Sequence, residues 1–293
     1  RNAIAFKWAD EIRETHLLDV EWSASRTGLI NPIAVFEPVE LEGTTVSRAS
    51  LHNISILRAL QLGKGDVIQV YKANMIIPQI AENLTRSDTL EIPKECPVCG
   101  KPTEVRCVND VSSLYCVNEE CPAKHVKRFL LFVSRDAFNI EGMSEATLEK
   151  FIQSGFLREP ADMFHLDSYH DVIVEMDGFG EKSYQRLMAS IQKARKVTLA
   201  KLIYSLGILN IGLSNARLLC QHYRNDLQAM LAASTEELTA IDGIGPVIAG
   251  SFTDYFADEQ HRIELKDLLG EVEIEQENFS EEGRVFDGKV FVI

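Results

Sequence analysis

The stretch "CPVCGKPTEVRCVNDVSSLYCVNEECPA", residues 96–123, separates a strand-like part of the 293-residue chain from a helical part. It holds five of the six cysteines, and four of them follow the spacing C-x2-C-x16-C-x4-C at Cys96, Cys99, Cys116 and Cys121. Two pairs of sulfurs, each pair brought together by a tight turn, supply the four thiolates of a structural zinc site with no open position for chemistry. The spacing therefore predicts a zinc finger that stabilises the fold.

Free thiols and a redox pair are the alternatives for these four cysteines. Cys107 has no cysteine close to it in sequence and its role stays open, and Cys220 reads as a buried helix residue. The N-terminal residues lack the apolar core of a signal peptide, and no apolar run reaches the roughly 18 residues of a membrane span. We therefore expect a cytosolic protein, and in the cytosol paired cysteines more often hold metal than form disulfides.

The distribution of charge is uneven along the chain. The net charge of −14 argues against a simple nucleic-acid binder. Residues 181–224, however, carry eight basic side chains against one acidic, while residues 271–293 carry seven acidic against two basic. Because the local field steers a polyanion more than the total does, one face of this protein can still bind phosphates.

Four glycine-rich bends recur in the helical part. They begin at Gly142, Gly178, Asn210 and Gly243, with spacings of 36, 32 and 33 residues. A fixed period of this length indicates a repeated supersecondary unit. The second and fourth copies, within "MDGFGEKSYQRL" and "IDGIGPVIAGSF", resemble the helix-hairpin-helix motif, in which glycines let main-chain amides at the next helix bind a phosphate without reading a base.

The bends supply most of the candidate DNA contacts. Copies one and three depart from the motif, because Ser144 stands at the second glycine position and Asn210 at the first, although asparagine tolerates left-handed geometry. The alternative is a helical scaffold for protein contacts. The candidate DNA-binding residues in this part are Gly178, Gly180, Lys182, Ser183, Gly212, Gly243 and Gly245.

Residues 19–80 read as short strands separated by glycine and proline, with one helix at "LHNISILRALQLG", residues 51–63. Four or five strands with one interposed helix predict a small Greek-key barrel of the oligonucleotide-binding (OB) type, with other small barrels as alternatives. The loop "SRTGLINP", residues 25–32, would then present Arg26 and Thr27.

The order of these elements resembles the C-terminal half of bacterial NAD-dependent DNA ligases. Local sequences carry the resemblance: "AIAFKW" (3–8), "CPVCG" (96–100), "FVSRDAFNIEGM" (132–143), "VFDGKVFVI" (285–293) and the barrel itself. The implied fold class is multidomain α+β, with an OB-fold barrel, a four-cysteine zinc finger and an all-α helix-hairpin-helix domain. The implied boundaries are 1–10 for the end of the adenylation domain, 11–90 for the OB-fold, 91–124 for the zinc finger, 125–270 for four helix-hairpin-helix motifs, 271–283 for an acidic linker and 284–293 for the first strand of a BRCT domain.

The resemblance also implies a function. This family seals nicks in duplex DNA during replication and repair through enzyme–AMP and DNA–adenylate intermediates. Lys7 matches the family lysine that contacts the adenylate phosphate, and Arg26 and Thr27 match barrel residues that contact DNA near the nick.

The family's K-x-D-G motif, which carries the adenylated lysine, does not occur in the sequence. We therefore expect no activity without an N-terminal adenylation domain in cis. The expected cofactors are structural Zn²⁺, with NAD and Mg²⁺ for the whole enzyme, and the expected partner is nicked duplex DNA of any sequence. A monomer without membrane contact is expected. The alternatives are a non-enzymatic helix-hairpin-helix scaffold of a repair protein and a protein-interaction array that docks through its acidic end.

Overall fold

The structure, a computed structural model, describes residues 10–275 in two compact units, one up to residue 125 and one from residue 126. None of the helices in this described range is both long and apolar enough to cross a membrane. The elements of the first unit are β1 (Arg13–Ala24), β2 (Leu29–Leu41), β3 (Thr44–Ser50), α1 (Ile54–Leu60), β4 (Val67–Ala73), β5 (Ile77–Asn83), β6 (Thr103–Val108) and β7 (Val111–Cys116).

The first five strands form a closed barrel. β1 pairs antiparallel with β2 and with β4, β2 pairs with β3, and β4 pairs with β5. Since β3 also lies against β5, the order β1–β2–β3–β5–β4 returns to β1. Alternating residues such as Leu17, Ala34 and Phe36 point inward, and a register shift between Leu17 and Asp19 keeps Val20 inside. The predicted Greek-key barrel, with its helix between the third and fourth strands, is confirmed.

The cysteine segment extends this barrel. β6 and β7 form a hairpin, and β7 pairs with the start of β2 through Leu29↔Tyr115 and Ile30↔Leu114. A small core joins Ile30 and Ile54 of the barrel to Leu114 and three of the clustered cysteines. The structure thus places the stretches predicted as separate domains, 11–90 and 91–124, in one compact unit.

The second unit is helical, as predicted, and has one continuous apolar core. Its elements are α2 (Pro122–Val133, which begins in the first unit), α3 (Glu145–Gln153), a 3-10 helix (Pro160–Tyr169), α4 (His170–Glu175), α5 (Glu181–Ala194), β8 (Lys196–Thr198), α6 (Leu199–Ser205), α7 (Leu213–His222), α8 (Leu227–Ala232), α9 (Thr235–Thr239), α10 (Pro246–Ala257), α11 (Glu259–Glu271) and β9 (Glu273–Glu275).

Two short parallel strands, β8 and β9, were not expected from the sequence. β9 falls at the start of the stretch predicted as an acidic linker. It is held there because the Arg195 guanidinium donates to the Glu271 carbonyl at 2.8 Å and carboxylate at 2.9 Å, while the Glu273 amide donates to the Arg195 carbonyl at 2.7 Å. The rest of the predicted linker, the predicted BRCT strand and Lys7 lie outside the described residues.

Candidate metal centre and nucleic-acid interface

Cys96, Cys99, Cys116 and Cys121 come together as the spacing predicted. Their sulfurs all lie within 4.8 Å of one another, with Cys96–Cys121 at 4.0 Å and Cys99–Cys116 at 3.5 Å. A tetrahedral four-thiolate zinc site, with Zn–S distances of about 2.3 Å, requires sulfurs about 3.8 Å apart. The cluster therefore fits a structural thiophilic cation.

Local turns orient these sulfurs and the amides around them. Gly100 adopts a φ of +66° after the first pair, and its amide donates to the Cys96 carbonyl at 2.9 Å. Burial raises the pKa of the Cys99 thiol, but hydrogen bonds, first of all from the Lys101 amide, prevail and lower that pKa to about 6. Burial raises the pKa of Cys121 despite its amide donors. Four thiolates at this separation, three of them buried, need a cation to hold them together.

The other two cysteines lie apart from this cluster. Cys107 is exposed on β6, and Cys220 is buried in α7, as predicted. Among the described residues, neither belongs to the metal-binding group.

Arg26 and Thr27 lie in a tight turn between β1 and β2. The Ser25 amide donates to the Leu29 carbonyl at 2.8 Å, and Gly28 has a φ of +79°, which is the geometry of a three-residue hairpin loop with a glycine bulge. The Arg26 Nη1 atom is buried and has no hydrogen-bond acceptor within residues 10–275. Since an unpaired buried donor is costly, a phosphate oxygen at this point would satisfy it.

The barrel also carries a groove. It has a volume of about 480 Å³ and a mixed lining, in which polar side chains stand beside an apolar surface formed by Ile33, Ala49, Ile77 and Pro78. Its polar residues are Ser23, Asn31, Arg48, Ser50 and His52. Ile77 belongs to an apolar turn in which Met75 is 70% exposed and Ile76 is 75% exposed. This turn is not among the contacts predicted from the sequence. The signal was available in the run "NMII", since consecutive apolar residues at a hairpin tip indicate a contact surface.

The four bends share one backbone form. The residue at their first position is exposed and left-handed, and the apolar residue that follows it packs toward the core. Asn210 adopts this conformation in the third bend, as its side chain allows. The φ values are +88° at Gly142, +88° at Gly178, +62° at Asn210 and +86° at Gly243.

The bends differ at their second position, which in every copy is the N-cap of the next helix. In the first bend, the Ser144 hydroxyl accepts a hydrogen bond from the Thr147 amide at 3.2 Å, so the helix start is satisfied internally. In the other three bends the N-cap is Gly180, Gly212 or Gly245, which has no side chain to do this. A Cβ built at any of these three glycines meets nothing within 4 Å. Three bends therefore have no side-chain cap on their first-turn amides, and in the fourth bend this leaves the Val247 amide, because Pro246 has no N–H and the Ile248 amide donates to the Gly245 carbonyl at 3.0 Å.

Ser183 differs from the expectation for the second bend. Its hydroxyl accepts from the Gly180 amide at 3.0 Å and donates to the Gly180 carbonyl at 2.8 Å. The side chain thus closes the turn on itself.

The bends pack in pairs, each against a helix of the other. In the first pair, Lys150 donates to the Asp177 carbonyl at 2.8 Å and the Glu141 amide donates to Ser190 at 2.8 Å. In the second pair, Asn210 donates to Ser251 at 3.1 Å, and Leu218 packs beside Gly243. This reciprocal packing fixes each bend from both sides.

Most basic residues of the 181–224 stretch form no ion pair within the described part of the chain. Arg195 and Lys196 form ion pairs with Glu271 and Glu273. The other six have no ion-pair partner in the part of the chain that the structure describes: Lys182, Arg186, Lys193, Lys201, Arg217 and Arg224. By contrast, the basic residues of α2 are engaged, since Lys124, Lys127 and Arg128 each pair with a glutamate.

Arg128 belongs to a charged cluster inside the helical unit. Its guanidinium contacts the buried Glu264 carboxylate directly, and the Glu159 carboxylate lies 3.6 Å away. Burial, together with repulsion from Glu264, raises the pKa of Glu159 to about 7. This cluster is structural, because it lies among the core helices.

Comparison with known proteins agrees with this architecture. The model of the NAD-dependent DNA ligase OB-fold domain matches residues 14–91, and that of the helix-hairpin-helix motif matches residues 201–264. DNA ligases of Ruminiclostridium cellulolyticum and Lachnoclostridium phytofermentans are each 57% identical to the chain over 293 residues, its whole length. Along its whole length the chain is similar to DNA ligases. The resemblance predicted from local sequences is thereby confirmed.

The chain spans less than half of the length of those relatives. It covers 45% of both clostridial proteins and 44% of the DNA ligase of Thermosipho africanus, which is 36% identical over 299 aligned residues. The matched barrel carries the Arg26 turn, and the matched helical region contains the third and fourth bends.

Proposed function

We propose that this chain is the DNA-gripping C-terminal part of an NAD-dependent ligase that seals nicks in replication and repair through enzyme–AMP and DNA–adenylate intermediates. One observation carries the proposal: three bends have a glycine as N-cap, so that no side chain caps the first-turn amides of the next helix. Helix N-termini of this kind bind the phosphate oxygens of DNA whatever its base sequence. Nucleotidyl transfer depends mainly on positioning and charge neutralisation, so a rigid grip on the duplex contributes directly to the rate.

The proposed contacts are main-chain amides and unpaired cations. Ser183 contributes its amide, because its hydroxyl is already bonded to Gly180. The six unpaired basic residues add counter-charge around the bends. The remaining proposed contacts are Arg26, Thr27, Gly178, Gly180, Lys182, Gly212, Gly243 and Gly245.

The proposed cofactor of this part is one structural Zn²⁺ held by the four clustered cysteines. Because the protein supplies all four ligands, the ion stabilises the fold and takes no part in the reaction. NAD and Mg²⁺ belong to the adenylating part, toward which Lys7 would contribute one charge. We propose that the chain works as a monomer in the bacterial cytosol.

A titration of labelled nicked duplex against salt tests the binding. We expect log Kd to rise linearly with log salt, with a slope of about 0.9 for each phosphate neutralised. A flat response would contradict the proposal. For the reaction, we expect nick sealing when the chain is combined with the adenylating part of a close relative, and no covalent AMP adduct when the chain alone meets NAD and Mg²⁺. An adduct on the chain alone would contradict the proposal that adenylation takes place on the other part of the enzyme.

A further inference from the structure

We infer that the four-cysteine module positions the turn that carries Arg26 and Thr27, and that its metal acts on DNA binding through this turn. The inference rests on the proposed role of Arg26 as a DNA contact. It assigns the module a positioning role in addition to stabilising its own segment.

The first link is one hydrogen bond from a clustered cysteine. The Cys116 amide donates to the Gly28 carbonyl at 2.8 Å, directly beside Arg26 and Thr27 in the chain. The next residues of the two strands continue this ladder, because β7 pairs with β2 from Leu29 onward. The conformation of the turn therefore depends on the position of the end of β7.

The second link is steric. A Cβ at Gly28 would lie 2.7 Å from Cε of Lys124 and 2.9 Å from the Cys116 carbonyl oxygen, so the turn is closely covered on this side. Lys124 follows Cys121 by three residues, and its side chain is only 13% exposed and pairs with Glu119 at 3.4 Å. The turn therefore packs against two segments, one containing Cys116 and the other Cys121.

The third link is the shared core. Ala24, which precedes the turn, and Ile30, which follows it, pack with Cys96, Cys116 and Cys121. Without a cation, nothing holds the four sulfurs together. The C-terminal end of β7 then becomes less ordered, and the hydrogen bond from the Cys116 amide to the Gly28 carbonyl weakens. Arg26 then has to be ordered at the moment of binding, which removes most of its contribution to affinity.

A double-mutant cycle tests this coupling while the metal stays bound. Gly28→Ala keeps all four ligands but forces the turn away from Cys116 and Lys124. The matched control is Gly43→Ala, because Gly43 has a similar φ of +75° with nothing within 4 Å of its Cβ position. Metal content, measured by mass spectrometry, should remain one equivalent in both variants.

The measured quantity is Kd for a nicked duplex at fixed salt. We expect Arg26→Ala to weaken binding about tenfold in the wild-type and Gly43→Ala backgrounds, the scale of one lost charge-assisted hydrogen bond. In the Gly28→Ala background we expect less than about a twofold further loss, because coupled sites are not additive. Lys182→Ala, in the helical unit, should act equally in all three backgrounds.

The outcomes separate the inference from the proposed function. A tenfold effect of Arg26→Ala in the Gly28→Ala background would overturn the positioning role and leave DNA binding intact. No effect of both Arg26→Ala and Lys182→Ala in the wild-type chain would overturn the proposed function itself. In addition, metal removal should speed amide hydrogen exchange at residues 25–29 but not at residues 42–44, and unchanged exchange at 25–29 would also overturn the inference.

Discussion

The two units of this chain differ in what would present groups to phosphate under the proposed function. In the barrel unit the proposed group is a side chain, Arg26, on a turn that lies beside the four-cysteine cluster. In the helical unit the proposed groups are main-chain amides on bends that left-handed residues and apolar packing hold in place, and this unit contains a buried ion cluster and no cysteine of the metal-binding group. The proposed non-specific grip would thus combine a metal-dependent part with a metal-independent part.

Chelation of the metal gives the largest expected difference between the units. A structural four-thiolate site contributes several kcal/mol to folding, so we expect its removal to lower the thermal transition of the barrel unit by about 10 °C or more while the barrel core stays folded at room temperature. The helical transition should stay within about 2 °C, because its core holds no cysteine ligand. Calorimetry with and without a strong chelator measures both, and loss of both transitions together would break the comparison.

Substitution at the N-caps gives the next largest effect and compares bends within the helical unit. Gly245 has a φ of −85° and open space at its Cβ position, so Gly245→Asp fits without strain and caps the helix. We expect unchanged or higher thermal stability but about tenfold weaker DNA binding, because the carboxylate occupies the amides and repels phosphate.

The control for that substitution is Ser144→Asp in the first bend. Its helix start is already capped by Ser144, so we expect less than about a twofold change in Kd. Equal losses from both substitutions, measured by fluorescence anisotropy, would mean that the bare glycine caps are not what distinguishes the bends.

The ion cluster of the helical unit predicts a smaller, pH-dependent effect. The pKa of Glu159 is raised from its ordinary value of 4.5 to about 7, so the folded state binds this proton more tightly than the unfolded state. The corresponding stability is present below pH 4.5 and is lost as the pH rises through 7. Glu159→Gln should therefore raise the Tm of the helical unit at pH 8 by about 2–4 °C, or about 1 kcal/mol after allowance for solvent screening, and leave it nearly unchanged at about pH 4. An equal shift of Tm at both pH values would show that the titration of Glu159 is not its cause.

The smallest effect concerns a single cation beside the second bend. Lys182→Ala should lower the slope of log Kd against log salt by about 0.9, with a loss of affinity of only a few-fold at physiological salt. Glu259→Ala, on the exposed start of α11, offers a comparison without loss of positive charge. An unchanged slope for Lys182→Ala would remove this residue from the interface.

Local features of the fold were predictable because they depend on residues close in sequence. The left-handed conformation of Asn210, the cap at Ser144 and the turn at Cys96–Cys99 all follow from short-range chemistry. The pairing of β7 with β2 and of β9 with β8 was missed, because a strand partner up to 86 residues away leaves no local trace. The two hydrogen bonds between the Ser183 hydroxyl and Gly180 were not predicted, although a serine three residues into a helix often turns back to its own backbone.

The most direct test of the account follows main-chain amides by NMR as nicked duplex is added. The relevant resonances are those of the amides two residues after each glycine N-cap, at Lys182, Ser214 and Val247. We expect these resonances to shift progressively as more DNA is bound and to return to their free positions at high salt. The Thr147 amide, already bonded to Ser144, should not move. Unperturbed amides at the three glycine-capped helices, or an equal shift at Thr147, would contradict the central claim that bare helix starts hold the sugar–phosphate backbone.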